Sequence, residues 1–264
     1  MIVYPEISPV ALSLGPLKVH WYGLTYLAGF VLAFLLCRKR AARADAPIKP
    51  AAVEDMIFYG AMGVIIGGRV GYLLFYGWAN VAEDWRYIYR FWEGGMSFHG
   101  GLLGVLVAMG LFARKHNRTF FEMTDFVAVA TPLGLFCGRI GNFINGELWG
   151  AKTDVAWGFL VDGVVRHPSM LYEALLEGVV LFIVLLWFSR KPRPIRAVSG
   201  LFLIGYGLFR ILVEFVRIPD EHIGYFADSW LTMGQLLSTP MVLFGIYLMW
   251  RAYASPASNE KSTA

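Results

Sequence analysis

Seven apolar windows recur along this 264-residue chain, at residues 17–37, 56–77, 97–113, 121–140, 170–188, 197–217 and 232–251. A helix needs about 20 mainly apolar residues to cross the hydrocarbon core of a bilayer. No water is available there, so every backbone polar group must be paired internally. Windows of this length therefore predict a bundle of helices. A membrane-spanning barrel would alternate apolar and polar residues over about ten positions, and this chain has no such pattern. Composition agrees: 57% of residues are hydrophobic and only 16% charged, against about a quarter charged in an ordinary soluble domain. The 16% of aromatic residues suits rings gathered at membrane interfaces. The expected fold is an all-α polytopic integral membrane protein of about seven transmembrane helices. The third window is short and suits a tilted or partly re-entrant segment.

The loops orient the bundle. Arg38, Lys39, Arg40, Arg43 and Lys49 follow the first window, and Arg114, Lys115 and Arg118 the third. Arg190, Lys191, Arg193 and Arg196 follow the fifth, and Arg251 and Lys261 the seventh. The intervening loops hold Glu83, Asp84 and Glu93, then Glu147, Asp154 and Asp162, then Asp220, Glu221 and Asp228. Basic loops stay on the cytoplasmic side, so the N-terminus is expected outside and the C-terminus inside. The N-terminus has no basic region ahead of an apolar core, so the first window reads as a retained span and not a cleaved signal. The last ten residues are polar and read as disordered. Residues 1–264 read as one transmembrane domain, because the outer segment 141–169 is too short for a core of its own. No basic stripe suggests nucleic acid. Cys37 and Cys137 lack the spacing of a metal or disulfide site. Gly68-Arg69-Val70-Gly71 and Gly138-Arg139-Ile140-Gly141 echo one another, which fits either a repeat or glycine-mediated helix packing.

Charge inside an apolar span is costly, so each such residue is a functional candidate. Arg69 lies in the outer third of the second window and Arg139 at the outer end of the fourth. Arg210, Glu214 and Arg217 lie in the outer half of the sixth, along one helix face. His99 stands at the outer entrance of the third, and Tyr26 lies near mid-depth in the first. Each also has a structural reading. Arg210 and Glu214 suit a one-turn ion pair, Arg69 a neighbouring carbonyl, and Arg217 a headgroup reached by snorkelling. A lone interfacial histidine suits a structural role, and Tyr26 ordinary packing.

The structural readings are weakest at residues 138–150, GRIGNFINGELWG. Arg139, Asn142, Asn145 and Glu147 are set among four glycines there. Glycine allows backbone to approach a ligand, and the planar guanidinium suits phosphate. A phospholipid headgroup is the phosphate most available at a membrane surface. Histidine is the side chain best poised to take a proton near neutral pH, and Gly94, Gly95 and Ser97 would let a substrate approach His99. The residues thus suggest a lipid-phosphate site beside a general base. A small transporter or channel with an intramembrane ion-pair relay is the competing reading. Against it, the charges cluster toward the outer leaflet and no pair of broken helices marks a midplane site.

At GRIGNFINGELWG the chain resembles the prolipoprotein diacylglyceryl transferase family of bacteria. HWYGLTYLAGF at 20–30, GGRVGYLLFYG at 67–77, GGMSFHGGLLG at 94–104, RHPSMLYEALLEG at 166–178 and GLFLIGYGLFRILVEFVRIPD at 200–220 extend the resemblance over nearly the whole chain, in the family's order. It implies an inner-membrane protein of seven spans with a periplasmic N-terminus, a cytoplasmic C-terminus and a site toward the periplasmic leaflet. It also implies transfer of the diacylglyceryl group from phosphatidylglycerol to the lipobox cysteine thiol of a prolipoprotein signal peptide, releasing glycerol 1-phosphate. On that resemblance His99, Arg139, Arg210 and Tyr26 are the catalytic candidates. Arg139, Arg210, Asn142, Asn145, Glu147 and Gly150 would bind the lipid, and Arg69, Glu214 and Arg217 would support them. No metal or cofactor is expected. Whether His99, Arg210 or a water chain handles the proton stays open. Residues 151–165 are shorter than the outer segment of some relatives, which leaves open how the precursor is guided in.

Overall fold

The computed structural model describes residues 2–15, 17–90, 93–218, 225–226 and 231–254. Trp92, the outer-loop acids Asp220, Glu221 and Asp228, and the polar tail from 255 lie outside the described residues. The apolar windows emerge as helices: α1 (Trp21–Ala41), α2 (Val53–Phe75) and, past the short α3 (Trp78–Glu83) between windows, α4 (Phe98–Lys115), α5 (Phe120–Ala128) and α6 (Thr131–Ile144). The fifth window holds α7 (Ser169–Glu173), a π-helical stretch (Ala174–Val180) and α8 (Leu181–Phe188). Then come α9 (Ala197–Glu214) and α10 (Met233–Ala254).

Among the described residues, five helical segments are long and apolar enough to cross a membrane, or six if α5 and α6 together form one span. The chain is therefore a mostly helical membrane protein. Helix α4 falls outside that set because His99 sits at its start and Arg114 and Lys115 at its end. The fourth window, expected as one helix over 121–140, is broken, and its halves meet at 48°. Pro132, in the first turn of α6, explains the break: proline donates no hydrogen bond, and its ring crowds the carbonyl four residues back, that of Ala128 where α5 ends. Helix α9 ends at Glu214, so Arg217 lies in the turn beyond it and not on the helix proper.

The chain forms two compact units, residues 37–124 and residues 1–36 with 125–264. In the smaller unit α2 and α4 pack through a seam of glycines, where Gly63, Gly67 and Gly71 meet Gly100 and Gly104. A Cβ on Gly71 would lie 2.7 Å from Gly100 Cα, and one on Gly104 would collide with the Gly63 carbonyl oxygen. Small residues allow this backbone contact between membrane helices. In the larger unit Val129, Leu181, Leu185 and Val198 form a buried apolar core. The Asp125 carboxylate accepts hydrogen bonds from the Arg196 and Ser199 amides at 2.6 and 2.7 Å and so satisfies donors at the start of α9.

Short strands lie outside the long helices. β1 (Ile2–Val3) pairs in parallel with β4 (Phe159–Val161), which pairs antiparallel with β5 (Val164–Arg166). β2 (Val10–Leu14) and β3 (Leu17–His20) form a hairpin leading into α1. β6 (Tyr225–Phe226) and β7 (Leu231–Thr232) precede α10.

Replacing Gly104 by Val should force α2 and α4 apart and cost about 3 kcal/mol, the upper end of ordinary overpacking penalties. Thermal unfolding in detergent should register a lowered midpoint. An unchanged midpoint would mean that the two helices can separate without loss.

Candidate functional site

The larger unit buries its charge around one carboxylate. Glu173, the last residue of α7, has no exposed side-chain surface. Its Oε1 accepts hydrogen bonds from Arg210 Nη1 at 2.7 Å and Arg217 Nη1 at 2.8 Å. Its Oε2 lies 3.0 Å from Arg139 Nε. Arg210 also reaches Glu214 Oε2 at 3.0 Å, as expected for a one-turn pair, and Arg217 Nε lies 3.5 Å from the same oxygen. A second carboxylate, Glu177, is equally buried, with its Oε2 3.9 Å from Arg139 Nη2. Three guanidinium groups and three carboxylates thus share one apolar setting. Leaving one partner out of a buried cluster costs far more than the cluster gains over an apolar core, so its members are interdependent.

Local structure explains how the groups meet. The π-helical stretch Ala174–Val180 separates Glu173 from α8 and contains Glu177; such turns often occur at functional sites. Gly178 lies in it, and a Cβ there would stand 2.7 Å from Phe136 Cβ and 3.0 Å from Phe136 Cα. That close approach brings α6, and with it Arg139, onto the carboxylates. On the other side of α6, Gly138 faces the Tyr26 hydroxyl, and a Cβ on Gly141 would lie 2.5 Å from Thr25 Oγ1. The glycines of GRIGN are therefore part of the contact between α6 and α1, which Gly29 against Gly134 and Cys137 continues. They set Tyr26 beside the helix that carries Arg139, with its hydroxyl 3.0 Å from that of Tyr22.

The segment after α6 closes on itself. Buried Asn142 donates from Nδ2 to Glu147 Oε1 at 2.8 Å, and Asn145 donates to the same oxygen at 3.4 Å. The Tyr4 hydroxyl donates to the Phe143 and Ile144 carbonyls at 2.8 and 3.1 Å, two of the acceptors a helix end leaves unpaired. Burial pushes the Tyr4 phenol above its ordinary pKa. Gly150 is buried, and its amide donates to the His167 carbonyl at 2.8 Å. A side chain there would strike the Val216 carbonyl. The next amide, of Ala151, donates to that carbonyl at 2.8 Å, so Gly150 ties this segment to the turn that carries Arg217.

Arg69 and His99 belong to the smaller unit. Arg69 is 2% exposed. It donates to the carbonyls of Ile88 at 3.2 Å, Gly94 at 2.6 Å and Gly95 at 3.3 Å, and also to that of Tyr87, whose ring it overlies at 4.7 Å. The carbonyl reading of Arg69 holds: it clamps the segment that leads into α4. His99 is the second residue of α4, exposed, behind an N-cap in which Ser97 Oγ accepts the Gly100 amide.

The sequence as a whole matches the family model described as prolipoprotein diacylglyceryl transferase over residues 9–251. A relative from Methylococcus capsulatus is 56% identical, with 96% of this chain and 98% of the relative covered. One from Chromohalobacter salexigens is 55% identical over 100% and 99%, and one from Pseudomonas entomophila 52% identical over 100% and 98%. All three carry the name phosphatidylglycerol–prolipoprotein diacylglyceryl transferase. The chain belongs to the prolipoprotein diacylglyceryl transferase family. The arginine cluster is therefore the arginine cluster of a transferase, built on a carboxylate that sequence reasoning passed over.

Glu173 and Glu177 were not among the expected site residues, although both lie in an apolar window. The rule that singled out the arginines, charge retained inside a span, identifies them equally. Removing the first should be severe. Glu173→Ala would leave three guanidinium groups without their shared acceptor, at a cost of about 3–5 kcal/mol. A large drop in the unfolding midpoint is the expected measurement; an unchanged midpoint would show that Arg139, Arg210 and Arg217 hold their places without Glu173.

Proposed function

We propose that the arginine cluster binds the phosphate of phosphatidylglycerol, and that the protein transfers the diacylglyceryl group of this lipid to a prolipoprotein, the first step of lipoprotein maturation. The observation that carries this reading is the convergence of Arg139, Arg210 and Arg217 on Glu173. A guanidinium has five N–H donors, and one buried carboxylate cannot occupy all those of three arginines. Arg217 Nε is buried with no hydrogen-bond acceptor among the described residues. Donors fixed in advance in a dry site stabilise an anion without reorganising when it arrives.

The acceptor is the thiol of the lipobox cysteine. The sulfur attacks the glyceryl carbon that bears the phosphate. The sulfur–carbon bond forms as the carbon–oxygen bond breaks, and glycerol 1-phosphate leaves with the electron pair. Arg139 and Arg210 clamp the phosphate and stabilise the growing charge on the leaving group. His99 takes the thiol proton, since the thiolate is the nucleophile. Asn142, Asn145, Glu147, Gly150 and Tyr26 shape the headgroup pocket, with Glu214 and Arg217 supporting the clamp. Arg69 supports the reaction by holding the segment before His99. The leaving group is already a phosphate monoester, so no metal or cofactor is called for.

The whole chain acts as one catalytic domain in the bacterial inner membrane. It has seven spans, a periplasmic N-terminus and a cytoplasmic C-terminus, and the site faces the periplasmic leaflet. The basic loops after the first, third, fifth and seventh windows support this orientation.

Incubation of the purified protein with labelled phosphatidylglycerol and a lipobox peptide should add the mass of a diacylglyceryl group to the peptide cysteine. No mass gain would sink the reading. Arg139→Ala should lower turnover by about 10²–10³-fold, the usual loss on deleting a transition-state donor, while the protein still folds. Full activity would remove Arg139 from the site. His99→Gln should abolish turnover across the pH–rate profile, whereas activity within a few fold of wild type would assign the proton to another group.

A further inference from the structure

Glu177 has no part in the mechanism above, and its surroundings are unusual for a carboxylate. Its side chain has no exposed surface. Neither of its oxygens accepts a hydrogen bond from a described residue. The only cation it pairs with among the described residues is Arg139, at 3.9 Å. Glu173 sits one residue before the π-helical stretch that carries it. The other charged or titratable groups that act on it are Arg210, Arg217 and Tyr206.

A charge count gives this isolation a use. The six groups of the cluster cancel when all are ionised. A phosphodiester brings one further negative charge into a setting of low dielectric, where an uncompensated charge is expensive. Neutrality returns if one carboxylate takes a proton. Protonating Glu173 would weaken its contacts to three arginines, and protonating Glu214 would weaken its contacts to two. Glu177 would give up a single long one.

We propose that Glu177 is the adjustable charge of the arginine site, taking up a proton from solvent as the phosphodiester anion binds and returning it as the anion leaves. It is a positioning residue: it acts through Arg139 and the charge balance of the pocket, not on the reacting carbon. The proposal rests on the reading of the cluster as the lipid-phosphate site.

Proton counting tests it. A short-chain phosphatidylglycerol is titrated into the full-length protein in detergent, by calorimetry in two buffers of different ionisation enthalpy, between about pH 6 and 9. Wild type should take up close to one proton per lipid in part of that range. Its affinity should fall there by up to about tenfold per pH unit, the limit for one linked proton. Glu177→Gln is neutral at every pH, so it should bind without proton uptake and with an affinity nearly flat in pH. His99→Gln should keep the wild-type proton count.

Lipid binding by wild type with no proton uptake at any pH overturns the proposal but leaves the phosphate site intact. Uptake that persists in Glu177→Gln, or that disappears in His99→Gln, assigns the proton elsewhere and also overturns it. If Glu177→Gln does not fold, Glu177→Ala takes its place, and proton uptake that persists in it likewise overturns the proposal. Failure of wild type to bind the lipid at all would instead reject the site reading, and the proposal with it.

Discussion

An ionised carboxylate with no access to solvent survives in a membrane helix only if cations come to it. Glu173 meets that demand with three arginines drawn from α6, α9 and the turn after α9. The same demand works in reverse, because no arginine in an apolar bundle can stay buried without an acceptor. This mutual need fixes which faces of the helices meet. It also explains the glycines, since guanidinium groups on separate helices reach one carboxylate only where the backbones come close. Gly178 against Phe136 is such an approach. Packing and electrostatics in this unit solve one problem together.

The arrangement also separates holding from binding. Arginines already paired with carboxylates keep their orientation before any ligand arrives. Under the proposed function, donors held this way would receive the lipid phosphate without rearrangement of the protein. The cost is a cluster whose parts cannot be removed one at a time. Asn142, Asn145 and Glu147 follow the same logic on a smaller scale, since one Glu147 oxygen receives both amides.

Much of this was legible in the chain. Apolar windows of bilayer length placed the helices, because length and hydropathy are properties of single segments. Charge within a window identified Arg139, Arg210, Glu214 and Arg217, and spacing suggested the Arg210–Glu214 pair that the structure contains. What escaped depended on contacts between segments. Nothing local marks Glu173 as the partner of arginines 34 to 44 residues away in sequence. The break before α6 follows from Pro132, a single residue within an otherwise continuous apolar run. The end of α9 at Glu214 moved Arg217 off the helix, yet the turn still delivers it to Glu173. Arg69 met the same charge criterion as Arg139, and only the carbonyls of the segment before α4 distinguish a clamp from a ligand.

The strand pairing at the start of the chain bears on how the protein is made. Ile2 and Val3 pair with Phe159 and Leu160, and the Tyr4 hydroxyl closes the end of α6. These partners are separated by well over a hundred residues in sequence. Contacts of such long range are slow to form. Until they do, the end of α6 lacks the Tyr4 hydroxyl and β4 lacks its parallel partner. The C-terminal end of the helix that carries Arg139 thus depends on residues far ahead of it in the sequence.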